Sequence, residues 1–175
     1  MTRDDLARFR ALKIDFESVG LIQREENEPY FCTPVGAEYV GWIGCDGVHF
    51  VLLPGDERVF CVDPAMGEPG TYVLPVAKDF RAFLSYVLFC RDANPLSQIW
   101  WLTEERFRHL LAEDAGADWP GSGDFLARKE ETLGALRAAF SLSPADPYGA
   151  VKALQAGFDP AVLTFSPEYY ETLGL

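Results

Sequence analysis

The chain has 175 residues, 49% of them hydrophobic and 14% aromatic, with a formal net charge of −12. That length suits one domain burying roughly 70% of the surface its unfolded chain exposes, and the composition excludes a disordered or low-complexity chain. Such acidity repels phosphate backbones and anionic lipid, which argues against nucleic-acid and membrane partners and suits a basic protein partner; it also serves solubility. The longest apolar stretches, such as Val48 to Pro54, fall far short of the ~20 residues needed to span a bilayer. The opening Met-Thr-Arg-Asp-Asp lacks the basic-then-apolar order of a secretion signal, so a cytoplasmic location is expected.

In chain order, Arg3 to Phe16 carries Leu6, Phe9 and Leu12 between charges and predicts a first helix, capped by Thr2 with aspartates in its first turn. Gly20 and the polar run Gln23 to Glu28 end it. Tyr30 to Thr33, bounded by Pro29 and Pro34, predicts a short edge strand. Glu38 to Gly44 and Val48 to Leu53 flank Cys45-Asp46-Gly47, whose Asp-Gly pair predicts a hairpin. A turn at Pro54-Gly55-Asp56-Glu57 leads to Arg58 to Val62 and completes an antiparallel meander. Val48, Phe50 and Leu52 share one face and His49, Val51 and Leu53 the other, so both faces need cover. Asp63 to Gly70 reads as a turn-rich connection without a phosphate-binding glycine pattern.

Tyr72 to Cys90 is the organising stretch. A strand run, Tyr72-Val73-Leu74, meets Pro75 and passes through Val76-Ala77-Lys78 into a helix with Phe80, Phe83, Leu84, Val87 and Leu88 on one face. Asn94 as cap and Pro95 at the first helical position open a short helix through Trp100. Thr103-Glu104-Glu105 starts another, with Phe107, Leu110 and Leu111 facing inward; Arg106 stands where a capping box places Glu. After a loop from Asp114 to Gly123, Asp124 caps a longer helix striped by Leu126, Leu133, Leu136 and Phe140. Short helices follow at Pro147 to Ala156 and from Ser166 onward. The expected fold class is α+β, an antiparallel sheet of about four to six strands flanked by helices, with a helical C-terminal extension. In domain terms, residues 1–123 form the α+β domain, and residues 124–175 form the extension packed on it.

The search for chemistry assigns no catalytic residue, metal ligand or cofactor. The four cysteines, Cys32, Cys45, Cys61 and Cys90, have no C-x-x-C spacing and are expected as reduced thiols. Of the two histidines, His49 lies inside a strand run as a hydrogen-bonded core or rim residue, and His109 lies off the apolar helix face. No H-E-x-x-H, G-x-S-x-G or EF-hand pattern occurs. Adjacent carboxylates at Asp4-Asp5, Glu25-Glu26, Asp56-Glu57, Glu104-Glu105 and Glu130-Glu131 fall in predicted loops or on polar helix faces, where they stay solvated rather than tuned for acid catalysis.

Trp100 and Trp101 cannot both point the same way on a helix. Either both are buried under the C-terminal helices, as large aromatics commonly are, or one packs inward while the other lies at a rim beside Glu104 and Glu105, the kind of anchor that protein interfaces use. Trp100, Trp101, Glu104, Glu105, Asp56 and Glu57 are therefore the predicted partner-binding residues. In an alternative reading, the chain is a small-molecule binder or an enzyme, with Tyr39 and Trp42, joined by Trp100, lining a cleft between sheet and helices. In a third reading an exposed sheet edge makes it a homo-oligomer.

The phrase from Tyr72 to Leu84, followed by Gln98-Ile99-Trp100 and Thr103-Glu104-Glu105-Arg106-Phe107, resembles the second half of the SUKH superfamily domain. There a strand ends in proline, an A-x-[SD]-F-x-x-F-L step enters a helix, and a later helix starts at a small polar residue followed by acids. The resemblance spans roughly residues 38–111 and stops short of the stretch after Gly123. Many members carry an N-G-G-like turn near the N-terminus, for which only Asp46-Gly47 is a counterpart. The resemblance implies an α+β fold and a non-enzymatic role in binding proteins. Bacterial members are commonly immunity proteins that neutralise toxins, and eukaryotic relatives are regulatory interaction modules. The acidic charge is consistent with masking a basic toxin.

Overall fold

The hairpin at Asp46-Gly47 sets the register of the sheet. In the computed structural model, which describes residues 1–116 and 118–175, Asp46 and Gly47 take φ of 53° and 69°. The Val48 N–H donates to the Cys45 carbonyl at 3.1 Å. This is the backbone of a tight primed turn, whose twist matches that of the strands it joins, β1 (Glu38–Trp42) and β2 (His49–Leu52). A Cβ on Gly47 would also run into the Tyr30 ring. The second turn has Pro54 and Gly55 at its centre, Gly55 at φ 73°, with the Asp56 N–H on the Leu53 carbonyl at 3.1 Å. It leads to β3 (Val59–Val62), and β4 (Val73–Ala77) completes an antiparallel sheet in the order β1-β2-β3-β4. The α+β class is thus as the pattern of elements implies. Pro75 does not end the fourth strand; it sits inside it, which an edge strand tolerates because one side of its ladder is free.

Pairing shifts from Tyr39↔Val51 to Gly41↔Phe50, leaving Val40 as the extra residue of a bulge. That one residue changes the parity of β1. Val40 joins the inner core, and Tyr39 and Trp42 come to share the opposite face.

The inner face, with Phe50, Leu52 and Val59, packs against Leu6 and Phe9 of α1 (Thr2–Arg10), Phe80, Phe83 and Leu84 of α2 (Phe80–Cys90), and Leu136 and Phe140 of α5 (Ser122–Phe140). The other face, with Val51, Phe60, Val62 and Val73, is covered by Cys32 and by Tyr169 of α7 (Pro167–Leu173). Around Tyr169 the tail residues Phe158, Leu163 and Phe165 are partly buried, and the Val35 N–H donates to the Thr164 carbonyl at 2.8 Å. Both apolar faces are covered, the second by loops and one short helix rather than by a helical layer. Between these elements lie α3 (Asn94–Gln98), α4 (Glu104–Gly116) and α6 (Tyr148–Ala156), the last against β4. Among the described residues no helix is long and apolar enough to cross a membrane.

Several local expectations are corrected. The first helix ends at Arg10, and Phe16–Val19 forms a separate 3₁₀ turn capped by the Asp15 side chain. Thr2 is inside α1, not its cap; its N–H donates to Glu57 Oε2 at 2.9 Å. Tyr30 to Thr33 is a turn rather than a strand, because the Thr33 hydroxyl accepts from the Tyr30 N–H at 2.9 Å and folds the segment back on itself. Asp92, not Asn94, serves the start of α3, accepting from the Asn94 N–H at 2.9 Å. The predicted loop Asp114 to Gly123 contains residue 117, which lies outside the described residues, but α4 continues through Asp114 to Gly116. Helix α5 begins at Ser122 behind Gly121, so Asp124 stands in its first turn, and Leu126 is 36% exposed while Leu133, Leu136 and Phe140 are buried.

Candidate functional site

The bulge in β1 assembles an aromatic stack around His49. Its ring centroid lies 4.3 Å from that of Trp42 and 5.3 Å from that of Tyr39. His49 Nδ1 is 2.7 Å from the Gly47 carbonyl, which can only accept, so Nδ1 carries the proton and Nε2 accepts from the Thr33 hydroxyl at 3.2 Å. Burial lowers the His49 pKa to about 4; the Gly47 carbonyl opposes this and Arg24 adds to it. A hydroxyl beside an imidazole has the outline of a nucleophile and its base. Thr33 is only 4% exposed, however, and a neutral carbonyl rather than a carboxylate orients the ring. The arrangement ties the loop after Pro29 to the hairpin and holds an uncharged imidazole in the fold.

Tyr39 and Trp42, the predicted pocket residues, do share a groove of about 360 Å³ with Arg10, Gln23, Arg24 and Asn27. Trp42 itself is 1% exposed. Its indole N–H donates to Asn27 Oδ1 at 2.7 Å, and the Arg24 guanidinium lies 3.9 Å above its ring. Trp100 is not part of this groove; its carbonyl accepts from Lys152 Nζ at 3.0 Å on α6. The buried thiols are not activated: burial pushes Cys32 up to about 12 and raises Cys61 and Cys90 as well. All the cysteines are free, and among the described residues no group of three or more His, Cys, Asp or Glu could hold a metal ion.

The predicted partner-binding residues fall in two places. Asp56 and Glu57 are bonded inward. Asp56 takes a forked bond from Arg58, with Nη2 at 2.7 Å from Oδ2 and Nε at 3.0 Å from Oδ1, and also accepts the Arg58 N–H. Burial raises the Asp56 pKa, but the bonds from Arg58 outweigh it and hold the carboxyl below its ordinary value. Glu57 accepts the first N–H of α1, and the Arg3 guanidinium reaches back to the Leu53 carbonyl of the same turn at 2.6 Å.

Trp100, Trp101, Glu104 and Glu105 instead lie together where α3 passes into α4. The Thr103 hydroxyl caps α4, accepting from the Arg106 N–H at 3.3 Å. Trp100 is half-buried and Trp101 is 42% exposed, with Glu104 and Glu105 exposed beside them. Glu104 meets Arg108 at 3.0 Å, and Arg108 also reaches Asp146 at 2.5 Å; among the described residues Glu105 makes no ion pair. His109, off the apolar face, is exposed and 3.2 Å from Glu113.

Helix α4 has a single fully buried side chain, Phe107, and stands as a ridge between two grooves. One, of about 230 Å³, runs beside Trp101 over Leu102, Arg106 and Leu110. The other, of about 510 Å³, lies against the C-terminal end of α2 and the N-terminal half of α5 and contains Leu111, Asp114, Trp119, Phe125 and Lys129. Sequence reasoning places Trp119 only in a loop. The available signal is its setting in Trp119-Pro120-Gly121, where the chain cannot continue a helix and a large aromatic has no regular element to bury it. Neither a family model nor a curated protein nor a solved structure matches the chain.

Proposed function

We propose that the chain is a cytosolic protein-binding module, an immunity protein that neutralises a basic toxin by covering its surface, without catalysing a reaction. The observation that carries the reading is the α4 ridge, where exposed Trp101 stands beside two exposed glutamates on a helix that fully buries only Phe107, with Leu110 and Leu111 half-buried against the core. A large, stiff aromatic loses little entropy on docking, and a rim of like charge selects an oppositely charged partner and speeds its approach. The net charge of −12 extends that field over the whole molecule. The resemblance of the β4-to-α2 step and of the start of α4 to the SUKH domain supports the same role. Co-expression with the product of an adjacent toxin-like gene tests it: the chain is expected to bind that product and protect the cell. Failure to bind or protect overturns the proposal.

A second reading, a small-molecule binder, rests on the groove of about 360 Å³ beside Arg24 and Trp42. It predicts that a ligand quenches tryptophan fluorescence through Trp42, and that Trp42→Phe, but not Trp101→Phe, removes the response.

A further inference from the structure

The larger groove beside α4 has a charge pattern of its own. Arg91 pairs with Glu130, and Lys129 Nζ meets Asp92 Oδ2 at 2.9 Å with both side chains mostly buried. Those pairs cancel. Asp114, on the α4 wall, has no ion-pair partner among the described residues, so the lining keeps one uncompensated negative charge. Burial, and then the neighbouring Asp92 carboxylate, raise the Asp114 pKa, with Lys129 opposing them only in part.

The aromatic walls divide in the same way. The Phe125 ring is already attended by cations of this chain, Lys129 Nζ at 5.3 Å and Arg128 at 5.9 Å. Trp119 is 44% exposed and lies 5.7 Å from Phe125 with its ring tilted, and among the described residues no cation stands over it. Trp42, whose face is filled by Arg24, shows what the fold does with an indole it uses itself. Next to Trp119, Leu126 is 36% exposed.

We propose that this groove is a docking slot for an arginine or lysine side chain of a basic protein segment, with Trp119 as its aromatic wall and Asp114 as its counter-charge. A guanidinium seated there completes the charge balance of the lining and stacks on the open indole, an interaction that a cation gains from the ring's negative face. A second copy of this chain is disfavoured by its own charge of −12. The inference rests on the protein-binding reading only for the nature of the occupant.

The test titrates the full chain, at about 50 mM salt to limit screening, with a capped peptide of alternating arginine and glycine, and with its glutamate counterpart. The arginine peptide is expected to bind and the glutamate peptide not to bind. Asp114→Asn is expected to weaken binding by about three- to tenfold and Trp119→Leu by about two- to fivefold. Glu25→Gln, an equal charge change outside the groove, should weaken it less than about twofold. Equal losses in Asp114→Asn and Glu25→Gln would reduce the slot to diffuse acidity and overturn it, as would binding of the glutamate peptide or absence of binding by the arginine peptide. A toxin that is neutralised equally well by Asp114→Asn overturns the slot alone. Peptide binding that passes these tests in a chain that neutralises no toxin keeps the slot and overturns the immunity reading.

Discussion

The turn at Asp56-Glu57 and the ridge of α4 present the same kind of charge and put it to opposite uses. In the turn, both carboxylates are satisfied from within: Asp56 by the Arg58 fork and Glu57 by the first N–H of α1. The first stiffens the turn, and the second, with Arg3 on the Leu53 carbonyl, pins the N-terminal helix to the β2-β3 connection. On the ridge, Glu105 is unpaired among the described residues, Trp101 is 42% exposed, and the helix is anchored by buried Phe107 with half-buried Leu110 and Leu111 beside it. An acidic pair bonded to its own chain has little left to offer a partner, because breaking those bonds would offset what the new contact contributes. The ridge is therefore the surface that the proposed partner is expected to use, although it contributes less to the fold.

The largest expected effect comes from removing the ridge's anchor. Phe107→Ala should cost about 3–5 kcal/mol in urea unfolding, through the cavity left where α4 meets the core; a loss under about 1 kcal/mol would mean that the ridge is held by something else.

A second group bonded only to its own chain, His49, responds to acid. His49 stays neutral in the folded chain down to about pH 4, whereas its unfolded value is 6.5. Between those values the unfolded state binds more protons, so the stabilisation is complete above pH 6.5 and is lost as pH falls toward 4. The loss should approach about 3 kcal/mol in melts taken across that window, and His49→Phe should flatten the slope.

A smaller effect separates the two acidic pairs directly. Asp56→Ala should destabilise by about 1–2 kcal/mol, since Arg58 loses its fork. Glu105→Ala should stay within about 0.5 kcal/mol. Equal values would erase the contrast.

These sites were unequally legible in the sequence. The meander, its two turns and helix α2 follow from local rules: positive φ at Asp46-Gly47, proline and glycine at the second turn, and helical spacing from Phe80 to Leu88. The bulge at Val40 leaves no such trace, because it depends on the pairing of β1 with β2, and with it goes the placing of Tyr39 and Trp42 on one face. The turn at Tyr30 to Thr33 was hidden by strand-like residue types and is set by one threonine hydroxyl. Charge partners across the chain are illegible in principle. Nothing near Asp56 in sequence announces that α1 docks on its turn, and Lys129 is 37 residues from Asp92. Two adjacent indoles left open in the sequence whether one or both are buried. The predicted helix through Trp100 ends at Gln98, so both lie in the turn before α4, where Trp101 is exposed, while Trp119 needed the fold of α4 and α5 to become a groove wall.

Hydrogen–deuterium exchange on the chain alone and bound to the proposed toxin partner tests the central claim most directly. The prediction is added protection over residues 100–116, with the turn at residues 54–58 unchanged, and loss of that protection in Trp101→Ala at an unaltered melting temperature. Protection confined to residues 54–58, or protection over α4 that survives Trp101→Ala, would contradict the account.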